Sequence, residues 1–174
     1  MSQLLENIKL LLFDVDGVLT DNQIFISSDS TELKSFCIDD GTGAAIARFA
    51  DLPLAFLSGR YSKSTEIWAK ELGVSCCIQG VIDKKNKLPE ICKKFNVELS
   101  EIAYVGDALI DIPVFEKVGV SIAVPNSHIM VKEKADMITD SYGGRGVLTE
   151  LVEKTLKSQN RYEDILKKMK NEKF

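Results

Sequence analysis

The sequence predicts an α/β fold built on a doubly wound parallel sheet, and three observations carry that reading. Short apolar runs with the length of buried strands recur along the chain. Between them lie stretches whose apolar residues return at three- and four-residue steps, the spacing of a helix with one buried face. The two signals alternate, which is the order that sets strands side by side in parallel with helices packed on the sheet.

The first run, KLLLF at residues 9–13, ends at Asp14. Residues 23–38 then break the pattern: QIFISSDSTELKSFCI alternates apolar and polar positions around a Ser-Ser-Asp-Ser turn, as a β-hairpin projecting from the sheet would. Helical spacing covers residues 43–50, and PLAFL predicts the next strand, ending at Ser58. A helix over 62–72, a strand over 75–79, a helix over 87–95, a strand over 102–105, a helix over 111–118 and a strand over 120–124 follow. From Gly146 to Phe174 the chain is a Lys- and Glu-rich helical tail, most amphipathic over 147–156 and either helical or frayed after Gln159. No repeat or linker divides the 174 residues, which suit a single domain over 1–174.

Composition narrows the functional classes. Apolar residues make up 45% and charged residues 28%, which excludes a disordered or collagen-like chain. A formal charge of −4 and a pI near 5.1 provide no field that would draw in nucleic acid. The first residues lack the basic start and cleavage site of a secretory signal, and the apolar run ending at Asp14 is too short to cross a bilayer. A cytoplasmic protein without membrane partners is expected. Cys37, Cys76, Cys77 and Cys92 have no metal-ligand spacing and read as reduced packing residues.

The unusual polar residues fall just beyond predicted strands, where ligands bind in such sheets. The first strand leads into Asp14-Val15-Asp16-Gly17-Val18-Leu19-Thr20, two carboxylates that are costly to crowd without a cation. The second leads into Ser58-Gly59-Arg60, and the third through Gln79-Gly80 to Lys84; hydroxyl, backbone N–H and ammonium all suit an anionic oxygen. The fourth leads into Gly106-Asp107, with Asp111 one helical turn later. Three carboxylates and a lysine point to Mg²⁺ and phosphate.

These residues resemble the haloacid dehalogenase superfamily, whose DxDGxxT motif is matched by Asp14 to Thr20, with Ser58, Lys84 and the Gly106-Asp107-Asp111 segment standing for its other motifs. A closer resemblance is to the capless 3-deoxy-D-manno-octulosonate 8-phosphate phosphatase family, through DVDGVLTD, DDGTG, LSGR, QGVIDK, AYVGDALID and GGRG. Two positions depart from that pattern: Asn22 stands where Gly is commoner, and Ala108 where a second Asp is usual.

The resemblance implies a Rossmann-like fold without a cap domain and a phosphatase of the lipopolysaccharide sugar pathway. Asp14 would be the nucleophile that forms an aspartyl phosphate, and Asp16 the acid and base. Asp14, the Asp16 backbone carbonyl and Asp107 would hold Mg²⁺; Ser58, Gly59 and Lys84 would bind phosphate. Thr20 would hydrogen-bond the nucleophile loop and Asp111 orient its neighbours. His128 is expected at a loop–helix junction without a chemical role.

Relatives form homotetramers in which hairpins pack together and a neighbour's loop or tail closes the site. Arg60 and Arg145, the latter in the Gly143-Gly144-Arg145-Gly146 loop, would contact substrate and favour the eight-carbon acid over a nine-carbon 9-phosphate of the sialic acid type. A non-catalytic sugar-acid binding module, or a regulatory partner of a cytidylyltransferase, is the alternative class. Retention of both Asp14 and Asp16 argues against it, and the lack of a cap-sized insertion argues against a mutase.

Overall fold

The computed structural model describes residues 4–171. Within them lie β1 (Leu10–Phe13), β2 (Phe25–Ile26), β3 (Glu32–Leu33), β4 (Leu54–Leu57), β5 (Cys76–Ile78), β6 (Ile102–Gly106), β7 (Val120–Ala123) and β8 (Met137–Ile138). Six of these pair in parallel in the order β5-β4-β1-β6-β7-β8, while β2 and β3 form a separate antiparallel hairpin. The sheet is therefore parallel and doubly wound, as its sequence predicts. β1 lies at its centre, with Phe13 opposite both Phe56 of β4 and Val105 of β6.

An all-apolar strand has no face to leave wet, so helices must cover both sides. On one face Leu11, Phe13, Phe56, Val105 and Ile122 pack with residues of α1 (Asp39–Phe49), α2 (Lys63–Glu71), α6 (Val147–Ser158) and α7 (Tyr162–Asn171). On the other, Leu10, Leu12, Leu57 and Tyr104 pack with α3 (Leu88–Phe95), α4 (Ile112–Phe115) and α5 (Ile129–Lys134). Each fully buried Leu, Ile or Phe contributes roughly 1.5–3 kcal/mol relative to leaving it in water.

Some elements differ from expectation. The predicted helix over 111–118 shortens to α4, because Lys117 N–H closes a tighter turn on Val114 O and Gly119 N–H bonds to Leu99 O and Ile102 O, which turns the chain into β7. α5 and β8 carry too little apolar periodicity to stand out in the sequence. The tail beyond Gln159 is helical as α7; residues 172–174 of it, and residues 1–3, lie outside the described residues. Among the described residues no helix is long and apolar enough to cross a membrane.

The hairpin forms in the middle of its predicted span, closed by Ser27 N–H donating to Thr31 O at 3.0 Å, with Ser30 at φ 69°. Its paired strands are only two residues each, and Phe25, Ile26 and Leu33 are exposed.

The DDGTG segment has a structural use. α6 begins at Gly146, which has no side chain to cap the helix, so buried Asp40 supplies the acceptor from α1: its Oδ1 takes Leu148 N–H at 3.0 Å and Thr149 N–H at 3.3 Å. This joins the loop carrying Arg145 to the core.

Candidate active site

The loops that leave β1, β4, β5 and β6 at their carboxyl ends converge on a cavity of about 430 Å³ lined by Asp14, Asp16, Asn22, Ser58, Gly59, Arg60, Ile82, Asp107, Ala108 and Ile110. A larger cavity of about 760 Å³ lies at the opposite ends of the strands, beside Ile8, Pro53 and Glu101, away from these carboxylates. Chemistry, not size, selects the smaller one.

Asp14 follows β1 directly. Its Oδ1 accepts the Val15 N–H at 2.7 Å, and its Oδ2 lies 2.8 Å from Lys84 Nζ. The turn after Asp16 is made by Gly17 at φ +82°, where a Cβ would collide with the Asp107 carboxylate; only glycine serves there. Thr20 Oγ1 accepts the Gly17 N–H at 3.3 Å and the Asn22 N–H at 3.4 Å, so it ties together the loop that follows Asp14. Asn22 itself has φ 67°, a left-handed conformation that asparagine tolerates better than most residues, which explains how it stands in for glycine.

Of the three nearby lysines, Lys84 alone is buried, because it opens the turn that follows β5 and points inward while Lys85 faces solvent. Its ammonium also reaches Asp111 Oδ1 at 2.6 Å and Tyr104 OH at 3.0 Å. Burial alone would depress Lys84, but the charges of Asp14 and Asp111 outweigh it and hold the ammonium above its ordinary value.

Asp111 accepts four hydrogen bonds: Lys84 Nζ and Tyr104 OH on Oδ1, both at 2.6 Å, and the backbone N–H groups of Asp107 and Ala108 on Oδ2, both at 3.0 Å. Carboxylate oxygens of Asp14, Asp107 and Asp111 lie within 4.8 Å of one another. With Asp111 already saturated, Asp14 and Asp107 are the carboxylates left with capacity for a cation.

The charge balance points the same way. Burial, opposed by Lys84, pushes Asp14 up to about 8; burial and the charge of Asp111 push Asp107 up to about 7. A hard divalent cation bound by oxygen ligands, such as Mg²⁺, fits this excess of buried carboxylate. Both groups titrate above their ordinary 3.8, so their contribution to stability is complete below about pH 4 and is lost as pH rises through about 7 to 8. Thermal stability in EDTA is therefore expected to fall over that window. Added Mg²⁺, which competes with those protons, is expected to raise the melting temperature more at about pH 8 than at about pH 5; an equal rise would contradict this charge balance.

Ser58 Oγ donates to Arg60 O at 2.9 Å and accepts the Arg60 N–H at 3.2 Å, shaping a turn in which the Gly59 N–H has no acceptor among the described residues. Arg60 reaches the cavity wall but its guanidinium is paired with Glu32 of β3. Arg145 is exposed and does not line the cavity; the two glycines before it instead pack under the loop that follows Asp14, with Gly143 N–H on Asn126 Oδ1 at 2.7 Å and Gly144 N–H on Val18 O at 2.9 Å. Ala108 presents a methyl group to the cavity and leaves its acidic wall to Asp107. His128 caps α5 by accepting the Met130 N–H at 3.2 Å.

Three contributors escaped the sequence reading. Tyr104, hidden in an apolar run, bridges Lys84 and Asp111. Glu32 holds Arg60, and Lys34 donates to Asp16 Oδ1 at 2.6 Å. Only Glu32 had a local signal: in β3 it lies on the strand face opposite exposed Leu33.

Comparison with known proteins adds to this geometry. Residues 55–151 match a sequence family described as haloacid dehalogenase-like hydrolase. The 3-deoxy-D-manno-octulosonate 8-phosphate phosphatase of Escherichia coli K12 is 38% identical over 159 residues, 91% of this chain and 85% of that protein. The crystal structure of a Moraxella catarrhalis phosphatase of the same name, in complex with magnesium ion, phosphate ion and KDO, superposes with a TM-score of 0.91 at 39% identity, covering 97% of each chain. A cobalt-bound Haemophilus influenzae counterpart superposes with a TM-score of 0.87 at 35% identity, covering 92% of this chain and 94% of its own.

Proposed function

The chain belongs to the haloacid dehalogenase-like hydrolase family, and from that premise we propose that it hydrolyses 3-deoxy-D-manno-octulosonate 8-phosphate to the free sugar acid and phosphate, in lipopolysaccharide sugar biosynthesis. The observation that carries the reading is Asp14, buried at the cavity floor, bonded to Lys84 and flanked by Asp16 and Asp107.

In this reading a carboxylate oxygen of Asp14 attacks phosphorus, forming a P–O bond as the bond to the sugar oxygen breaks. Asp16, as the acid, gives its proton to that departing oxygen. It then takes a proton from the water that attacks phosphorus and releases Asp14, which restores both residues. Lys84 holds Asp14 in place, and Ser58 with the Gly59 N–H receives the phosphoryl oxygens. Asp14, the Asp16 carbonyl and Asp107 would hold Mg²⁺, whose charge offsets that of phosphate and carboxylates.

Exposed Phe25, Ile26 and Leu33 on the hairpin suit packing against further copies, which supports a homotetramer in which a neighbour covers the open cavity. Arg145, exposed on its loop, would then reach substrate as part of that assembly, beside Arg60. A substrate carrying phosphate and carboxylate does not cross a bilayer unaided, which suits a cytoplasmic enzyme.

The test is phosphate release from the eight-carbon 8-phosphate and a nine-carbon 9-phosphate in parallel, with Mg²⁺ or EDTA. Mg²⁺-dependent release favouring the eight-carbon substrate is expected. A nine-carbon preference would overturn the part assigned to Arg60 and Arg145 and keep the reaction class, whereas no release from either would favour a sugar-acid binding module.

A further inference from the structure

Resting on the reading of Asp16 as acid and base, we propose that Lys34 of the hairpin stem is a positioning residue that holds the Asp16 carboxyl group in one orientation toward the departing oxygen. Lys34 lies outside every motif quoted above for the site.

The hairpin is short and its outer face is exposed, so a lysine on it is expected in water with its ammonium solvated. Here the reverse holds. The Lys34 side chain has no exposure at all, and its ammonium sits 2.6 Å from Asp16 Oδ1, while the Asp16 side chain is 22% exposed. Burying an ammonium is unfavourable unless it meets a partner of opposite charge, and Asp16 is its only hydrogen-bond partner among the described residues.

The geometry separates the two oxygens of Asp16. Oδ1 accepts from Lys34, while Oδ2 has no hydrogen-bond partner among the described residues and is the oxygen left for substrate. Asp16 lines the cavity and Lys34 does not, so Lys34 acts on substrate only through Asp16. The stem itself is held by the Arg60–Glu32 pair, which anchors β3 to the turn after β4. Side-chain rotation that a free aspartate would undergo is suppressed, and the proton donor is presented in one orientation to the departing oxygen.

A leaving-group comparison of kcat/KM tests this, because kcat/KM reports the step in which the sugar oxygen departs and not the later hydrolysis of the aspartyl phosphate, in which Asp16 serves every substrate alike. For Lys34→Met, kcat/KM with the sugar acid 8-phosphate is expected to fall by about 10²-fold, and kcat/KM with p-nitrophenyl phosphate, whose oxygen departs without a proton, by about threefold or less. Methionine conserves volume, and Asp16 retains access to water, so the fold is expected to persist. Thermal unfolding checks that, and Lys34→Gln, read the same way, gives a second measurement.

In an Asp16→Asn background, Lys34→Met is expected to cost nothing further on the sugar substrate. Equal losses on both substrates, no loss on either, or multiplying losses in the double variant would overturn the proposal. If Asp16→Asn alone shows no dependence on leaving group, the reading of Asp16 as the acid fails instead, and the role of Lys34 goes with it.

Discussion

Asp14→Asn is expected to lower phosphate release by about 10⁴-fold or more under saturating Mg²⁺, while leaving the chain folded. The amide has the shape of the carboxyl group, so its oxygen still accepts the Val15 N–H or faces Lys84, and the loop around Gly17 is undisturbed. What disappears is the oxygen nucleophile. Burial pushes the Asp14 carboxyl up to about 8, so in the metal-free wild type its charge opposes folding at higher pH. The variant lacks that cost. Without metal at about pH 8 it is expected to melt no lower than wild type, and it is expected to gain less from added Mg²⁺. Initial rates paired with melting curves check both; a variant that keeps a tenth of wild-type activity would exclude Asp14 as nucleophile.

Lys84→Met should produce the largest loss of stability of any single change in the site. The ammonium serves Asp14, Asp111 and Tyr104 together, and its removal leaves two buried carboxylates facing each other without a cation. Breaking a buried ion pair from one side costs about 3–5 kcal/mol, well above a surface pair. Loss of the positive charge beside the phosphoryl group is expected to lower kcat by about 10²–10³-fold as well. Urea unfolding reads the first effect. The penalty is expected to shrink at low pH, where Asp14 takes up a proton, and a cost that is small and independent of pH would mean that the ammonium is not what balances these carboxylates.

The central layers were legible from sequence because buried parallel strands are continuous apolar runs. KLLLF, PLAFL and IAYV became β1, β4 and β6, and the acidic and hydroxyl residues beyond them met at one cavity. β8, two residues long, and α5, six residues long, are too short for periodicity to register. Within the site, Asp14, Ser58 and Asp107 were readable because each directly follows its own strand, and Asp16 because it stands two residues beyond Asp14. Lys84 was readable only through resemblance, since Lys85 and Lys87 have the same chemistry and the turn after β5 decides which one faces inward.

Lys34 and Tyr104 were not legible, for a physical reason. Their partners, Asp16 and the Lys84–Asp111 pair, are brought to them by the fold, and no local pattern marks a lysine that turns back from a hairpin or a tyrosine whose hydroxyl ends in a polar cluster. Arg145 shows the converse: its loop is tied to Val18 and Asn126 by the neighbouring glycines, yet its side chain stands outside the cavity of this chain.

The most direct measurement is acid quenching of turnover with the eight-carbon 8-phosphate, followed by peptide mass mapping, in wild type and in Asp16→Asn, which slows release of the intermediate. Phosphate covalently attached to the peptide containing Asp14, most abundant in Asp16→Asn and absent from Asp14→Asn, is the predicted result. Rapid phosphate release with no phosphorylated peptide at any quench time, or a phosphoryl group mapped to a residue other than Asp14, would contradict the account.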